Sequence, residues 1–270
     1  MITKINKTIC NICGNNDFKD FIDRNDFSYV KCTNCNLAFQ YPQLNQEEIN
    51  KMYEDDYYNL IIEHQNAFFN LTKLGLIDVN FDELYNKFTK QKLFLDIGCS
   101  TGLLLNYVRE KGWETLGVEI CKQSVDYAKS NFGLNVIDKP LEECYFEDNY
   151  FQIIHFAHLI EHVPNPNAFL KEVYRILQPG GYIIVTTPNT DGLFAKIYRD
   201  KWRLAIPDHL FLFSKKNLKL LLEQTGFKLL NHFSWGGIPI NISNGIIKKF
   251  TDKLLKKLNL GDVMLFLAVK

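Results

Sequence analysis

The stretch FLDIGCSTGLLL, residues 94–105, runs from a short apolar segment through two glycines into a second apolar segment. Gly98 and Gly102 permit a tight turn and let a ligand approach the backbone closely. If a strand precedes this turn and a helix follows it, the helix N-terminus presents N–H groups to a carboxylate or a phosphate. We therefore expect Gly98, Cys99 and Gly102 to line a ligand site.

An acidic residue follows the loop at the spacing typical of nucleotide-binding folds. Glu119 lies at the end of the next strand-like apolar segment, roughly twenty residues after the loop. A carboxylate there can accept hydrogen bonds from both hydroxyls of an adenosine ribose. Asp96 beside the loop suits the cationic ammonium of S-adenosylmethionine, whereas it would repel the pyrophosphate of a dinucleotide. The pattern favours S-adenosylmethionine, and the alternative is a glycine turn beside a surface glutamate.

Apolar segments that look like strands alternate with amphipathic segments that look like helices. The predicted strands are 92–98, 114–120, 134–138, 150–157 and 181–188. This alternation indicates a parallel sheet with helices on both faces. The helix before the fifth strand is expected to stop at Pro179 and Gly180. After residue 214 the pattern adds a helix, a strand, a basic helix and a closing strand.

The composition excludes several classes of protein. With 270 residues, 46% of them hydrophobic, the chain can form a large domain, alone or with a small one. Lys and Arg together number 31, as do Asp and Glu, which argues against a broad basic field for nucleic acid. No apolar run reaches membrane-spanning length, and the N-terminus lacks the apolar core of a signal peptide. We expect a soluble, cytoplasmic protein.

The N-terminal region carries two C-x-x-C pairs, Cys10 with Cys13 and Cys32 with Cys35. This spacing is typical of a zinc ribbon in which four thiolates complete a tetrahedral, structural site. The alternatives are four free thiols or a redox pair, but neither pair opens a helix after an apolar strand, as a redox pair would. The total of seven cysteines is odd, which does not favour disulfides.

Four blocks, in order, resemble the class I S-adenosylmethionine-dependent methyltransferases: LDIGCSTG, GVEI, LIEHVPNPNAFLKEVYRILQPGGYIIVTTPN and DHLFLFSKKNLKLLLEQTGF. The resemblance covers about residues 90–235 and is strongest to the ubiquinone-type and sugar methyltransferases. The cysteine pairs followed by MYEDDYY resemble the N-terminal part of some sugar methyltransferases of surface-polysaccharide and deoxysugar pathways. The resemblance implies an α/β, Rossmann-like sheet of seven strands, the last of them antiparallel, with a helical lid.

The resemblance also implies roles for individual residues. Asp96 and the two glycines would hold the methionine end of the cofactor and Glu119 the ribose, while Asp138 or the backbone at Leu141 would lie near the adenine. Ile120 is a further predicted cofactor-binding residue. Tyr58, with Tyr53 and Tyr57, would form part of a lid; packing of an aromatic helix is the alternative. Ser100 departs from the family because a glycine is common there, and we expect binding to survive because serine is small.

The stretch HLIEHV places His158, Glu161 and His162 where a helical turn would point them to one side. Some relatives have a Glu-x-x-Glu-His pattern that binds a divalent metal, and some add a histidine from a later segment, which is His209 here. Three interpretations stay open. The four residues bind a second divalent metal, such as zinc; or His162 or His209 is a metal-free general base; or the histidines are structural.

Two basic segments carry further hypotheses. The first contains Arg199, Lys201 and Arg203. These side chains would bind a phosphate or pyrophosphate group of a substrate, or they are ordinary surface charges. The helix KKFTDKLLKKL would touch an anionic membrane or, as we favour, cover the sheet through Phe250, Leu254, Leu255 and Leu258.

The sequence thus predicts a zinc ribbon over 1–42, a helical lid or linker over 43–90 and a methyltransferase domain over 91–270. We expect O-methylation, or C-methylation, of a small polar acceptor such as a nucleotide-linked sugar. An RNA methyltransferase is the first alternative, which the neutral charge disfavours. A non-catalytic zinc-ribbon binding module on a degenerate methyltransferase fold is the second.

Overall fold

The computed structural model describes residues 4–5, 9–24, 27–44, 55–89, 92–236 and 245–270. Within these ranges the strands in chain order are β1 Lys4–Ile5, β2 Phe18–Asp23, β3 Ser28–Cys32, β4 Ala38–Gln40, β5 Gln43–Leu44, β6 Leu93–Ile97, β7 Glu114–Val118, β8 Val136–Ile137, β9 Phe151–Ala157, β10 Leu177–Pro188, β11 Phe211–Leu212, β12 Lys228–Trp235 and β13 Val263–Val269. The helices are α1 Asp55–Asp78, α2 Phe81–Asn86, α3 Leu103–Glu110, α4 Lys122–Phe132, α5 Pro166–Ile176, α6 Leu193–Tyr198, α7 Lys215–Thr225 and α8 Gly245–Lys257.

A central sheet organises the described part of the chain. Its seven strands there have the order β12-β13-β10-β9-β6-β7-β8. The pairs among β6 to β10 are parallel, while β13 runs antiparallel to both β10 and β12. The predicted seven-stranded, Rossmann-like sheet with an antiparallel last strand is confirmed, since the elements after residue 214 supply β12 and β13.

The central strands are buried on both faces because helices cover each side. Alternate residues of β6 and β9 belong to different cores: Leu95 and Ile154 to one, Phe94 and Ile153 to the other. Such strands are almost continuously apolar, as the sequence showed. A polar side chain placed inside them therefore needs a partner.

Local signals set the helix ends. The side chain of Asn165 accepts a hydrogen bond from the backbone of Ala168 and Pro166 begins α5, while Ser214 and Asn217 form a capping box on α7. The expected stop at Pro179 and Gly180 is corrected: α5 ends at Ile176, because Leu177 already pairs with Phe151 at the start of β10.

The cysteine region supplies three strands of a second sheet, whose four strands have the order β11-β4-β3-β2 within the described ranges. Its edge strand β11 comes from the C-terminal half of the chain, with Phe211 opposite Phe39 and Leu212 opposite Ala38. Leu37 and Phe39 also share one hydrophobic core with the central sheet. The division of the chain at residues 42 and 90 stays a prediction, and the cysteine region shares both a sheet and a core with later parts of the chain.

The predicted lid falls partly outside the described residues. Tyr53 lies outside them, and Tyr58 is half-buried near the start of α1. Among the described helices, none combines the length and the apolar character that a membrane-spanning segment requires. On α8, Leu255 is buried, whereas Phe250, Leu254 and the following Leu258 are exposed. Of the four residues predicted to cover the sheet, only Leu255 is buried.

Candidate active site

The glycine loop connects β6 to α3 through three residues in the left-handed region. The φ angles are 73° at Gly98, 51° at Ser100 and 79° at Gly102. The N–H of Gly98 donates to the carbonyl oxygen of Val118 at 2.8 Å, which fixes the loop to the end of β7. Ser100 thus adopts the backbone that the commoner glycine would supply, at a cost of about 1–2 kcal/mol for a side chain with a Cβ.

We predict that Gly102→Ala lowers the free energy of unfolding by roughly 2–3 kcal/mol, since strain at positive φ and overpacking add. A Cβ at Gly102 would lie 2.5 Å from Cδ1 of Leu134 and 3.0 Å from Cβ of Ala128. The control is Gly133→Ala, where φ is 59° and nothing lies within 4 Å of the added Cβ. The free energy of unfolding of Gly133→Ala should fall by only about 1 kcal/mol. Urea unfolding measures both, and equal losses would contradict the steric part of the prediction.

Glu119 lies against this loop and is 6% exposed. One carboxylate oxygen accepts from the N–H of Ser100 at 2.9 Å, and the other from Ile120 and Cys121 at 2.8 Å each. Burial raises the pKa of Glu119, while these hydrogen bonds oppose the rise. The apolar side chain of Ile120 is 42% exposed beside it. An acid fixed by backbone next to an exposed apolar side chain fits a nucleoside with its ribose on Glu119 and its base on Ile120.

Asp96 is buried in β6 and has a partner that the sequence did not indicate. His155 on the neighbouring strand β9 lies opposite it in register, and Nδ1 of His155 is 2.6 Å from a carboxylate oxygen of Asp96. Both side chains are buried. The signal that could have identified His155 is a polar residue in the middle of the apolar strand FQIIHFA, next to a strand whose only acidic residue is Asp96.

The remaining residues predicted to bind the cofactor differ in position and exposure. Asp138 follows β8 and is exposed, and Leu141 is buried at the start of a short 3-10 helix. Burial raises the pKa of the Cys99 thiol well above its usual value, which favours the protonated thiol. Ligand contacts by Asp138, Leu141, Cys99 and Tyr58 stay predictions.

Residues 158–163 form a turn after β9, not the helical turn that the sequence suggested. The turn lies against the glycine loop, since a Cβ at Gly98 would be 3.5 Å from Cδ1 of Leu159. Because β6 and β9 are parallel neighbours, the loop and the turn occupy the same carboxyl edge of the sheet. His158 has a φ of 51°, a strained backbone of the kind that clusters at functional sites.

The turn brings Glu161 and His162 together with His209, and one ligand atom of each lies within 4.8 Å of the others. We call these three residues the acid–histidine cluster. His158, the fourth residue of the predicted set, lies beside the cluster. Its Nδ1 is 3.2 Å from a carboxylate oxygen of Glu161, and its role in the site stays a prediction. Thr187 at the end of β10 donates to the other oxygen of Glu161 at 2.8 Å.

Backbone carbonyl groups fix both imidazoles of the cluster. Nδ1 of His162 is 2.8 Å from the carbonyl oxygen of Asp208, and Nδ1 of His209 is 2.7 Å from that of Leu204. A carbonyl oxygen only accepts, so each Nδ1 carries the hydrogen and each neutral ring has its lone pair on Nε2. The rings lie edge to face with centroids 4.8 Å apart. This tautomer is the one found in metal ligands and in general bases oriented by a second group.

The charges of the cluster follow from burial and hydrogen bonding. Burial lowers the pKa of His209 to about 4, so this imidazole is neutral near pH 7. Burial would raise the pKa of Glu161, but the hydrogen bond from His158 and the charge of the neighbouring imidazoles outweigh it and lower the pKa to about 2. The site therefore combines an ionised carboxylate with at least one neutral imidazole.

Residues 75–232, more than half of the chain, match the family model described as a methyltransferase domain. The chain belongs to the methyltransferase domain family. The matched range contains the glycine loop, Glu119 and the acid–histidine cluster, so the family and the site agree.

Relatives of this methyltransferase-domain protein share the fold and part of the sequence. It is 29% identical over 130 residues to a ubiquinone biosynthesis O-methyltransferase of Idiomarina loihiensis, covering 44% of this chain and 50% of the relative. The chain thus spans about half the length of this curated relative. A SAM-dependent methyltransferase from Archaeoglobus fulgidus superposes with a TM-score of 0.52 at 22% identity, covering 72% of this chain and 93% of the other.

A second solved structure spans nearly the whole chain. The 1,6-didemethyltoxoflavin-N1-methyltransferase of Burkholderia thailandensis, solved with bound S-adenosylhomocysteine, has a TM-score of 0.58 at 12% identity and covers 93% of this chain and 99% of the other. The expected class I methyltransferase fold is confirmed at the level of family and architecture.

The cysteine region of this methyltransferase-domain protein brings Cys10, Cys13, Cys32 and Cys35 within 4.8 Å of one another. Sγ of Cys10 is 3.5 Å from Sγ of Cys35, and the same distance separates Cys13 from Cys32. Tetrahedral zinc with bonds of about 2.3 Å needs sulfur atoms about 3.8 Å apart, so the set fits zinc. The hydrogen bond from Cys35 lowers the pKa of Cys10, and the same bond raises the pKa of Cys35, because the two thiols compete for one proton.

The two C-x-x-C turns have matching backbones. Gly14 and Asn36, which follow each pair, have φ angles of 69° and 62°. Each donates its N–H to the carbonyl oxygen of the first cysteine of its pair, Gly14 to Cys10 at 2.9 Å and Asn36 to Cys32 at 3.0 Å. Two equivalent turns that present paired thiols are the expected form of a structural zinc site.

Proposed function

We propose that this chain is an S-adenosylmethionine-dependent methyltransferase that methylates a hydroxyl group of a small polar acceptor. The observation that carries the proposal is the position of the acid–histidine cluster, on the same sheet edge as the glycine loop and Glu119 and in contact with that loop through Leu159. The name of the Idiomarina relative, an O-methyltransferase, supports oxygen as the methylated atom. A nucleotide-linked sugar is the acceptor that the N-terminal resemblance favours.

S-adenosylmethionine supplies a methyl group activated by its sulfonium sulfur. Asp96, held by His155, and the N–H groups at the start of α3 would bind the methionine end, and Glu119 the ribose. His162 or His209 would take the proton from the acceptor hydroxyl at Nε2, because Nδ1 of each ring is already held by a carbonyl oxygen. The main contribution of the site is to align the acceptor oxygen with the methyl group and to exclude water.

We also propose two metal sites. The four cysteines would hold a structural zinc ion. Glu161, His162 and His209 offer one carboxylate and two imidazoles, a donor set that suits zinc or another transition ion and leaves a position for an acceptor oxygen. Such an ion would lower the pKa of the acceptor hydroxyl. Exposed Arg199, Lys201 and Arg203 stay candidates for a phosphate contact, and the cytoplasmic location stays a prediction.

The test is S-adenosylmethionine binding by calorimetry, followed by transfer of a labelled methyl group to a panel of catechols, nucleotide-linked sugars and RNA. Glu119→Gln should weaken binding about tenfold to a hundredfold, because a hydrogen bond to a charged group contributes about 1.5–3 kcal/mol. The side-chain NH₂ group of the glutamine can also face a backbone N–H such as that of Ser100, and two donors cannot form a hydrogen bond with each other.

The matched control is Glu114→Gln at the exposed amino end of the same strand β7, which should bind the cofactor as the wild type does. A wild-type chain that does not bind S-adenosylmethionine would contradict the proposal and favour a binding module on a degenerate fold. If RNA is the only acceptor in the panel that is methylated, and salt suppresses the reaction, the acceptor is RNA and not a small polar molecule.

A further inference from the structure

We propose that the cysteine module positions the acid–histidine cluster, with Tyr29 as the positioning residue that connects them. The cysteine module is defined here as residues 9–24 and 27–44. The inference rests on the proposed function, since it gives the module a part in the methyl-transfer site. Its basis is a set of hydrogen bonds from the module to one segment, residues 199–210, which contains His209.

Arg24 holds the first half of this segment. Its guanidinium donates to the carbonyl oxygens of Asp200 at 2.6 Å, Trp202 at 2.9 Å and Ala205 at 2.9 Å. A planar guanidinium has five donor hydrogens in a rigid fork, so one side chain can fix the curvature of several residues. From the other side, Asp262 accepts from the indole N–H of Trp202 at 3.1 Å.

Two glutamines of the module hold the end of the segment. Gln40 donates from its side chain to the carbonyl oxygen of Pro207 at 2.9 Å, and from its backbone to that of Leu210 at 2.9 Å. The side chain of Gln43 also donates to Leu210, at 3.2 Å. Immediately afterwards the segment enters β11 and pairs with β4 of the module. The segment is therefore bound along its length to the module.

Tyr29 acts on His209 itself. Its hydroxyl oxygen is 2.6 Å from the carbonyl oxygen of His209 and 2.8 Å from that of Ile206, and the side chain is 1% exposed. Burial raises the pKa of Tyr29, so the hydroxyl stays a donor. Its one proton is shared between two carbonyl groups on either side of Pro207 and Asp208, which fixes the turn that leads to His209.

The same segment orients both imidazoles. Leu204 holds His209 and Asp208 holds His162 through their carbonyl oxygens. Several carbonyl groups of the segment accept hydrogen bonds from the module and so fix the segment. Those of Leu204 and Asp208 instead accept from the two imidazoles and so orient the rings. The backbone N–H of Phe211 also donates to the carbonyl oxygen of Glu161 at 3.1 Å. A shift of this segment would move every member of the cluster.

The test compares Tyr29→Phe with the wild type and with Tyr182→Phe. Tyr182 is a suitable control because it is also a mostly buried tyrosine, its hydroxyl accepts from Lys87 at 3.0 Å, and it belongs to neither the module nor the cluster. Chains labelled with ¹⁵N-histidine would be examined by long-range ¹H–¹⁵N NMR of the imidazoles. Six histidines give few signals, and His155 serves as an internal reference.

In Tyr29→Phe we expect the signals of His162 and His209 to shift or broaden, with those of His155 unchanged. Tyr182→Phe should leave His162 and His209 as in the wild type. Affinity for S-adenosylmethionine should be unchanged in Tyr29→Phe, while kcat for methyl transfer falls about tenfold, the loss typical of a residue that orients a functional histidine. Arg24→Lys, which keeps the charge but not the fork, should change the same signals.

Wild-type signals for His162 and His209 in both Tyr29→Phe and Arg24→Lys would overturn the inference, and so would an equal change in Tyr182→Phe. The spectra do not depend on turnover. A wild-type chain without methyltransferase activity would contradict the proposed function, and the spectra alone would still decide whether Tyr29 positions the histidines.

Discussion

Cys32→Ser should abolish zinc binding at the cysteine module and lower the free energy of unfolding by roughly 4 kcal/mol or more. A structural zinc site is bound with about 10–16 kcal/mol in isolated zinc fingers, and loss of a metal is among the few single changes that exceed the usual range. Cys32 is fully buried and joins β3 to its turn. The measurement is zinc per chain by elemental mass spectrometry, with thermal unfolding on the same samples.

Cys144→Ser is the control for this experiment. Cys144 is half-buried and its thiol lies 3.4 Å from the carbonyl oxygen of Pro140, far along the chain from the module. It should keep the zinc content and unfold close to the wild type. A wild-type chain purified without chelator that holds no zinc would overturn the assignment of the four cysteines.

His209→Asn should reduce methyl transfer by at least about a hundredfold while leaving S-adenosylmethionine affinity unchanged, since a positioned general base contributes about 10²–10⁴-fold. The side-chain N–H of asparagine can replace Nδ1 as the donor to Leu204, so the substitution removes Nε2 with little change in the backbone. If the cluster binds a metal, metal content should fall from about two ions per chain to about one.

The matched control is His232→Asn on β12, a half-buried histidine outside the cluster. It should retain both activity and metal. If His209→Asn keeps wild-type methyl transfer, neither the general-base role nor the metal role of His209 holds. A loss of cofactor affinity in the same variant would instead indicate a structural histidine.

The features that the sequence predicted are those set by short-range patterns. The alternation of apolar and amphipathic segments located β6, β7, β9 and β10. The glycine loop and Glu119 were found from their spacing along the chain. The cysteine pairs likewise fix their own turns, because Gly14 and Asn36 close each turn within five residues. In each case the residues that determine the structure are close in sequence.

The features that the sequence missed depend on contacts between distant residues. Nothing in the pattern joins Tyr29 or Arg24 to residues 199–210, and the partnership of His155 with Asp96 needs the register of β9 against β6. His158 was expected to share a helical face with Glu161. A left-handed turn at His158 replaces that helix, and β-strand pairing of the preceding residues, not local propensity, decides it.

The edge strand β11 has a consequence for synthesis. Residues 38–40 leave the ribosome early, but their sheet lacks its fourth described strand until residues 211–212 are made, so the pairing closes a loop of more than 160 residues. Contacts at such separation form late in folding. The cysteine module is expected to stay open at this edge while most of the chain is made, and a fragment ending before residue 211 should expose an unpaired β4, an edge that invites association with other chains.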